Sequence, residues 1–176
     1  MKSFIKTLCA TALFCTAAAE AQPAISPMPS SAPAPEFAGI EKWLNSDPLT
    51  MQQLRGKVVL VDFWTYTCIN CVRTLPYVKS WYDKYKSQGL VVVGVHTPEY
   101  PFERSTSNVA AALKKYDIRY PVAQDNRYTT WNAYNNQFWP AAYLIDKKGQ
   151  IVYTHFGEGD YQETEATIRK LLAQPG

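Results

Sequence analysis

Val58-Val59-Leu60-Val61-Asp62-Phe63-Trp64 is a nearly continuous apolar run rich in β-branched side chains, and four residues after it comes Cys68-Ile69-Asn70-Cys71. A run that is apolar at both odd and even positions reads as a strand buried on both faces. A helix is expected from about Ile69 to Gln88, with Gly89 as its left-handed cap and Pro76 kinking it from inside. Leu90 to Val95 then reads as a second buried strand. Strand, helix and strand at this spacing make a βαβ unit with parallel strands. The cysteine pair therefore sits where a buried strand turns into a helix.

The rest of the chain is shorter in rhythm. A helix is expected around Ser107 to Lys115, because Val109, Ala112 and Leu113 recur on one face. Pro121 to Ala123 reads as a short strand and Tyr128 to Tyr134 as a short helix. Ala141 to Ile145 and Gln150 to His155 read as two strands joined through the turn Asp146-Lys147-Lys148-Gly149. Tyr161 to Ala173 reads as a closing amphipathic helix with Ile168, Leu171 and Leu172 inward. The fold class is thus α/β: a central mixed sheet with helices on both faces and an antiparallel edge from the last hairpin.

Three segments follow from composition. Lys2, Lys6 and the apolar run Thr7 to Ala19, followed by Ala19-Glu20-Ala21, read as a signal peptide over 1–21 that is cut before Gln22. The run is too short to span a bilayer as a helix. Phe14 directly before Cys15 makes a poor lipid-attachment site. Residues 22–35 hold five prolines among Ala and Ser, and read as an extended linker. Residues 36–176 are the globular domain. Of the chain's 18 basic and 15 acidic residues, Lys2, Lys6 and Glu20 would leave with the signal, so the net charge is then about +2. No basic stripe with interleaved aromatics supports nucleic-acid binding. Export implies an oxidising compartment, and the chain that remains keeps only Cys68 and Cys71.

The chemistry centres on that pair. The first turn of a helix has unpaired backbone N–H groups and the positive end of the dipole, so a thiolate on Cys68 is stabilised there. Cys71 lies one turn on, on the same face, close enough to form a disulfide with Cys68 after Cys68 has attacked a substrate. A static disulfide closing so small a loop would stabilise little. A structural zinc site would need ligands the sequence does not supply, so neither metal nor cofactor is expected. His96 ends the second buried strand, at the sheet edge where α/β proteins place their sites. His96 or Glu99 could tune the thiols, or the two could form a hydrogen-bonded structural pair. His155 reads as structural.

The segment VVLVDFWTYTCINCVRTLP resembles the active-site segment of thioredoxins: Asp62 six residues before the first cysteine, Trp64 four before it, Pro76 five after the second. With WTYTCINC, GVHTPE, WPAAYLID and FGEGDY, the stretch Phe37 to Leu172 is similar to the TlpA-type branch of periplasmic thiol–disulfide oxidoreductases, and to the thioredoxin-like domain of DipZ proteins in particular. The resemblance implies a thioredoxin fold with a TlpA-type insertion before the cis-proline hairpin, since Thr97 to Trp139 is longer than the single helix of a minimal thioredoxin. It implies that Cys68 attacks, that Cys71 resolves, and that Asp62 is a buried carboxylate helping to deprotonate Cys71 through water. It also implies a cis Trp139–Pro140 bond in a loop facing the cysteines, where Trp139 and Pro140 would border the substrate, with Trp64 beside the site or simply in the core. DipZ proteins have a membrane electron-transfer part that this sequence does not include, so a separate membrane or periplasmic donor or acceptor is the implied partner, with protein thiols and disulfides as substrates. The Ile-Asn dipeptide differs from the Gly-Pro of reducing thioredoxins and from the Pro-His of the oxidase DsbA, so the direction of electron flow is open.

Two other readings exist. Thr65 three residues before Cys68 echoes a thiol-peroxidase pattern, although Val61 stands where its proline would be. A CxxC pair also binds Cu(I) through soft thiolates, which would make the domain a non-enzymatic copper-handling module.

Overall fold

The structure is a computed structural model that describes residues 31–175. The expected signal segment and its cleavage point lie outside the described residues. In chain order the elements are β1 (Ala32–Pro33), β2 (Lys42–Leu44), β3 (Val58–Trp64), α1 (Ile69–Tyr85), β4 (Leu90–His96), α2 (Thr106–Lys115), β5 (Val122–Gln124), α3 (Thr129–Ala133), β6 (Ala141–Ile145), β7 (Gln150–Phe156) and α4 (Tyr161–Leu172). They form one seven-stranded mixed sheet in the order β1-β7-β6-β3-β4-β5-β2. β3, β4 and β5 run parallel, and the remaining neighbours are antiparallel.

The apolar run reads both ways because it faces two cores. Side chains alternate along a strand. Val58, Leu60 and Trp64 point to one core, shared with Leu75, Val78 and Trp81 of α1, Val109 and Leu113 of α2 and Ile168 and Leu171 of α4. Val59, Val61 and Phe63 point to the other, shared with Met51, Leu54, Trp131 and Tyr134. All seven residues of β3 are buried, Asp62 included.

Helix α1 runs on through Pro76 and ends in a 3-10 turn over Lys86–Gln88, closed by Gly89 at φ 104°. A left-handed residue is where glycine carries no steric penalty. Two elements have no counterpart in the sequence reading. β2 is a three-residue edge strand paired with β5, too short to show alternation. β1 lies inside the proline-rich stretch: Ala32 and Pro33 pair with Ile151 and Gln150, and Ala34 N–H donates to Gly149 O at 2.9 Å. Proline suits an edge strand because its missing N–H faces no partner. Residues 32–34 are therefore laid along the sheet rather than running free as a tether.

Candidate active site

Cys68 and Cys71 are joined as a disulfide with Cα atoms 5.2 Å apart. Cys68 is the N-cap of α1, in extended conformation, and its Sγ accepts the N–H of Cys71 at 3.2 Å. When the bond is reduced, this donor and the helix dipole remain aimed at Cys68 and favour its thiolate. Cys68 is half-buried, whereas Cys71 is 1% exposed and belongs to the core cluster. The two sulfurs are therefore inequivalent: one can meet a partner, the other can meet only the first.

Asp62 lies on the core face of β3 that α1 covers. Its register neighbours are Gly94 on β4 and Ala142 on β6, the smallest residues a sheet can offer. On the Ala142 side lies a cavity of about 10 Å3, lined by Asp62, Thr74, Pro140, Ala142, His155 and Tyr161 among others. That is about the room one water requires. Thr74 and Val78 of α1 line it, on the helix face that also carries Cys71. Burial pushes the Asp62 carboxyl from an ordinary value near 3.8 up to about 7. A group poised there can take or give a proton at neutral pH.

On the other side of the cysteines a second buried carboxylate holds the loop that precedes them. Glu103 is 0% exposed. It accepts the hydroxyl of Thr67, and the N–H groups of Glu99 and Tyr100 at 2.6 and 2.9 Å. Burial raises its pKa, but the hydrogen bonds from Thr67, Tyr100, Thr65 and Glu99 outweigh it and hold Glu103 below the ordinary carboxylate range. The Thr65 hydroxyl also meets His96 Nε2 at 3.2 Å, and the Tyr66 ring stacks on His96. Burial lowers His96 to about 4, against the pull of Glu103, so the ring is neutral at pH 7. The partners of His96 are thus Thr65 and Tyr66. Glu99 is exposed and gives only its backbone N–H to Glu103, so a His96–Glu99 pair does not form. Glu103 carries no expectation from sequence. Its only signal is a carboxylate three residues after Tyr100 in a capping-box turn. Thr65, fully buried and turned toward His96 and Glu103, is spent on this network. A peroxidase would need it at Cys68.

The Trp139–Pro140 bond is cis. Trp139 borders the same core cluster as Cys68. Its Nε1–H donates to Thr97 O at 3.0 Å, and its ring lies 4.1 Å from that of Trp131. Phe138 and Phe156 remain about half exposed beside it, with ring centroids 5.1 Å apart. Trp64 takes the second of its two expected places, the core. It is 0% exposed, packed edge-on against His96 and close over Gly94. It belongs to the core cluster that also holds Cys71, shielded from solvent. Among the described residues no cluster of three or more His, Cys, Asp or Glu side chains is placed to hold a metal ion.

The Redoxin family model matches residues 29–172. The chain is 53% identical over 148 residues to protein DipZ of Mycobacterium tuberculosis, a match that covers 81% of this chain but only 21% of DipZ. It is 32% identical to the thiol–disulfide oxidoreductase YkuV of Bacillus subtilis over 81% of this chain and 95% of YkuV. A thioredoxin-like protein solved in its oxidised form superposes with a TM-score of 0.75 at 31% identity, covering 83% of this chain and 98% of that one. A helix-capping CxxC disulfide on this sheet, matched over most of the chain, places the protein in the Redoxin family, among its thioredoxin-like thiol–disulfide oxidoreductases.

Proposed function

We propose that the protein exchanges disulfides with exported proteins, Cys68 being the attacking thiol and Cys71 the resolving one. The observation that carries this reading is the unequal exposure of the two sulfurs across one turn of α1. In the reducing direction the Cys68 thiolate attacks a substrate disulfide. One substrate sulfur leaves as a thiolate and takes a proton, and the other is held in a mixed disulfide. Cys71 then loses its proton to Asp62, directly or through a water in the adjoining cavity, and its thiolate attacks Cys68 Sγ. The Cys68–Cys71 bond forms, the mixed disulfide breaks, and the second substrate thiolate leaves with its electron pair. The substrate gains two electrons and the protein loses two; the oxidising direction is the reverse. Trp139 and Pro140 border the path of the substrate. Electrons come from, or go to, a separate membrane or periplasmic protein, and the working form lies outside the cytoplasm after removal of residues 1–21.

The test uses two substitutions and one potential. Cys68→Ser abolishes exchange, whereas Cys71→Ser accumulates mixed disulfides with substrate proteins. Turnover of Cys71→Ser at the parent's rate would overturn the resolving role. Equilibration in glutathione and dithiothreitol buffers then fixes the direction: a potential near about −270 mV makes the protein a reductant, and one near about −120 mV an oxidant.

A further inference from the structure

One row of residues crosses four adjacent strands on a single face of the sheet. His155 of β7 pairs with Ala142 of β6, Ala142 with Asp62 of β3, and Asp62 with Gly94 of β4. Asp62 and His155 are therefore two strands apart, roughly 9.6 Å between backbones at the usual spacing, with only a methyl group between them. Both line the small cavity above Ala142. The two imidazole nitrogens have different surroundings. Nδ1 lies 3.2 Å from Oδ2 of Asp160, a residue with a side chain 66% exposed. Nε2 is buried with no partner among the described residues. A ring that donates from Nδ1 to Asp160 leaves Nε2 as a bare acceptor turned from solvent.

Asp160 shows a matching departure from local rules. It is the N-cap of α4, where an aspartate normally accepts a backbone N–H of the first turn. It makes no such bond, and it holds φ at 47°, a conformation that disfavours side chains with a Cβ. Its carboxylate is given to His155 instead. A helix cap forgone and a left-handed backbone kept are both costs to folding, and the contact they secure is the one to Nδ1.

We propose that His155 and Asp160 form the proton exit of the buried site, linking Asp62 through the cavity to solvent. This rests on the reading of Asp62 as the group that takes the Cys71 proton. Asp62 is sealed beneath α1 and can take the Cys71 proton only when it is ionised, so its own proton must leave before resolution. A water in the cavity passes the proton to His155 Nε2. The imidazolium is held by the Asp160 carboxylate and releases its Nδ1 proton to solvent, returning the ring to neutrality. No electrons move in this step, and the proton lost by Cys71 is the one that reaches water. Run backward, the same path protonates Cys71 when the disulfide is opened. The titratable groups facing His155 are Asp160 from the loop before α4, Asp62 from β3 and Tyr161 from α4; β6 offers Pro140 and Ala142, and α1 offers Thr74, Val78 and Trp81. His155 acts through Asp62 and touches no substrate, so it is a relay residue.

The test separates attack from resolution. Reduced protein is mixed with the aromatic disulfide dithiobis-nitrobenzoate. Attack by Cys68 releases a first coloured thiolate in a phase that depends on reagent concentration. Resolution by Cys71 releases a second in a phase that does not. His155→Gln and His155→Ala slow the second phase about tenfold near neutral pH, a modest share of what a positioned proton carrier contributes. They leave the first phase unchanged. Added imidazole restores the rate in His155→Ala, which opens a space for it. Ala142→Val, which fills the gap while leaving Asp62 and His155 in place, slows the second phase as well and is not rescued. The proposal is overturned by a second phase that keeps the parent rate in His155→Ala, or by one slowed equally at every pH from 6 to 9 and deaf to imidazole. A parent protein with no second phase would instead refute the resolving role of Cys71.

Discussion

Replacing Asp62 by Asn removes one titration from the core, and its signature is a slope in stability against pH. The folded protein holds the Asp62 proton up to about pH 7, whereas the unfolded chain loses it near 3.8. Between those values the folded state binds more protons than the unfolded state, so stability falls as pH rises and levels off above pH 7. The interval is roughly three pH units, each equivalent to 1.36 kcal/mol, so the whole effect is about 4 kcal/mol. From pH 4.5 to 8 about 3 kcal/mol of it is expressed. His96 works in the opposite sense. Its folded value near 4 lies below its ordinary 6.5, so its contribution is lost as pH falls through that range. The parent's own profile therefore mixes two slopes of opposite sign, and only the difference between parent and Asp62→Asn isolates the carboxylate. Urea unfolding of the oxidised proteins at a series of pH values measures it. With an m value of roughly 2 kcal/mol/M, the midpoint of Asp62→Asn gains about 1.5 M on the parent between pH 4.5 and 8. A buried amide adds a constant offset and leaves the slope alone. A difference that stays flat across that range, within about 0.5 kcal/mol, would mean that Asp62 ionises normally in the fold. It would then be no store for the proton of Cys71.

Two further substitutions probe the ground around the disulfide. Glu103→Gln takes away an anion that binds Thr67, next to Cys68, and two backbone N–H groups. It costs about 2 kcal/mol in stability, the scale of hydrogen bonds to a charged group, and lowers the pKa of the Cys68 thiol; alkylation by iodoacetamide followed against pH shows the shift, and an unmoved midpoint would exclude an electrostatic role for Glu103. Gly94→Ala places a Cβ 3.0 Å from Trp64 Nε1 and 3.1 Å from Tyr120 Cε2, atoms of rigid rings with little freedom to retreat. Overpacking of this kind costs about 1–3 kcal/mol, read as a lower urea midpoint with altered tryptophan fluorescence, and an unchanged midpoint would show that the row beside Asp62 has slack.

The parts of this molecule legible in its sequence are those written in consecutive residues. Val58 to Trp64 announces a strand between two cores because both of its faces are apolar, and the CxxC pair after it locates the helix start. Gly89 and the 146–149 turn mark their own positions. The three-residue strand β2 leaves no such trace, and β1 is hidden in a proline-rich stretch because an edge strand needs few donors and no alternation. The site divides in the same way. Cys68 and Cys71 are placed by their own spacing at the helix start, and Asp62, within ten residues of them, is singled out by the resemblance of this segment to thioredoxins. Glu103 reaches Thr67 from 36 residues away, and the row from Asp62 through Ala142 to His155 exists only because strands far apart in the chain share one register.

That division has a chemical consequence. Thr67, next to Cys68, is bound by a carboxylate that hydrogen bonds keep ionised, and the α1 face that carries Cys71 covers a carboxyl that burial pushes up to about 7. The opposite environments follow from donors. Glu103 has backbone N–H groups and hydroxyls pointed at it, so burial does not prevent its charge. Asp62 has Gly94 and Ala142 for neighbours, so burial alone decides. On the proposed mechanism, an anion bound to the loop before Cys68 opposes the helix dipole and tempers the stability of the Cys68 thiolate. Asp62 answers a different need on the proposed mechanism, as the proton acceptor of Cys71, since that thiol is buried and has no solvent of its own to titrate against. On that mechanism the two carboxylates are not redundant: donors aimed at Asp62 would hold it ionised but too weak a base for Cys71, and their loss from Glu103 would leave the loop before Cys68 unpinned.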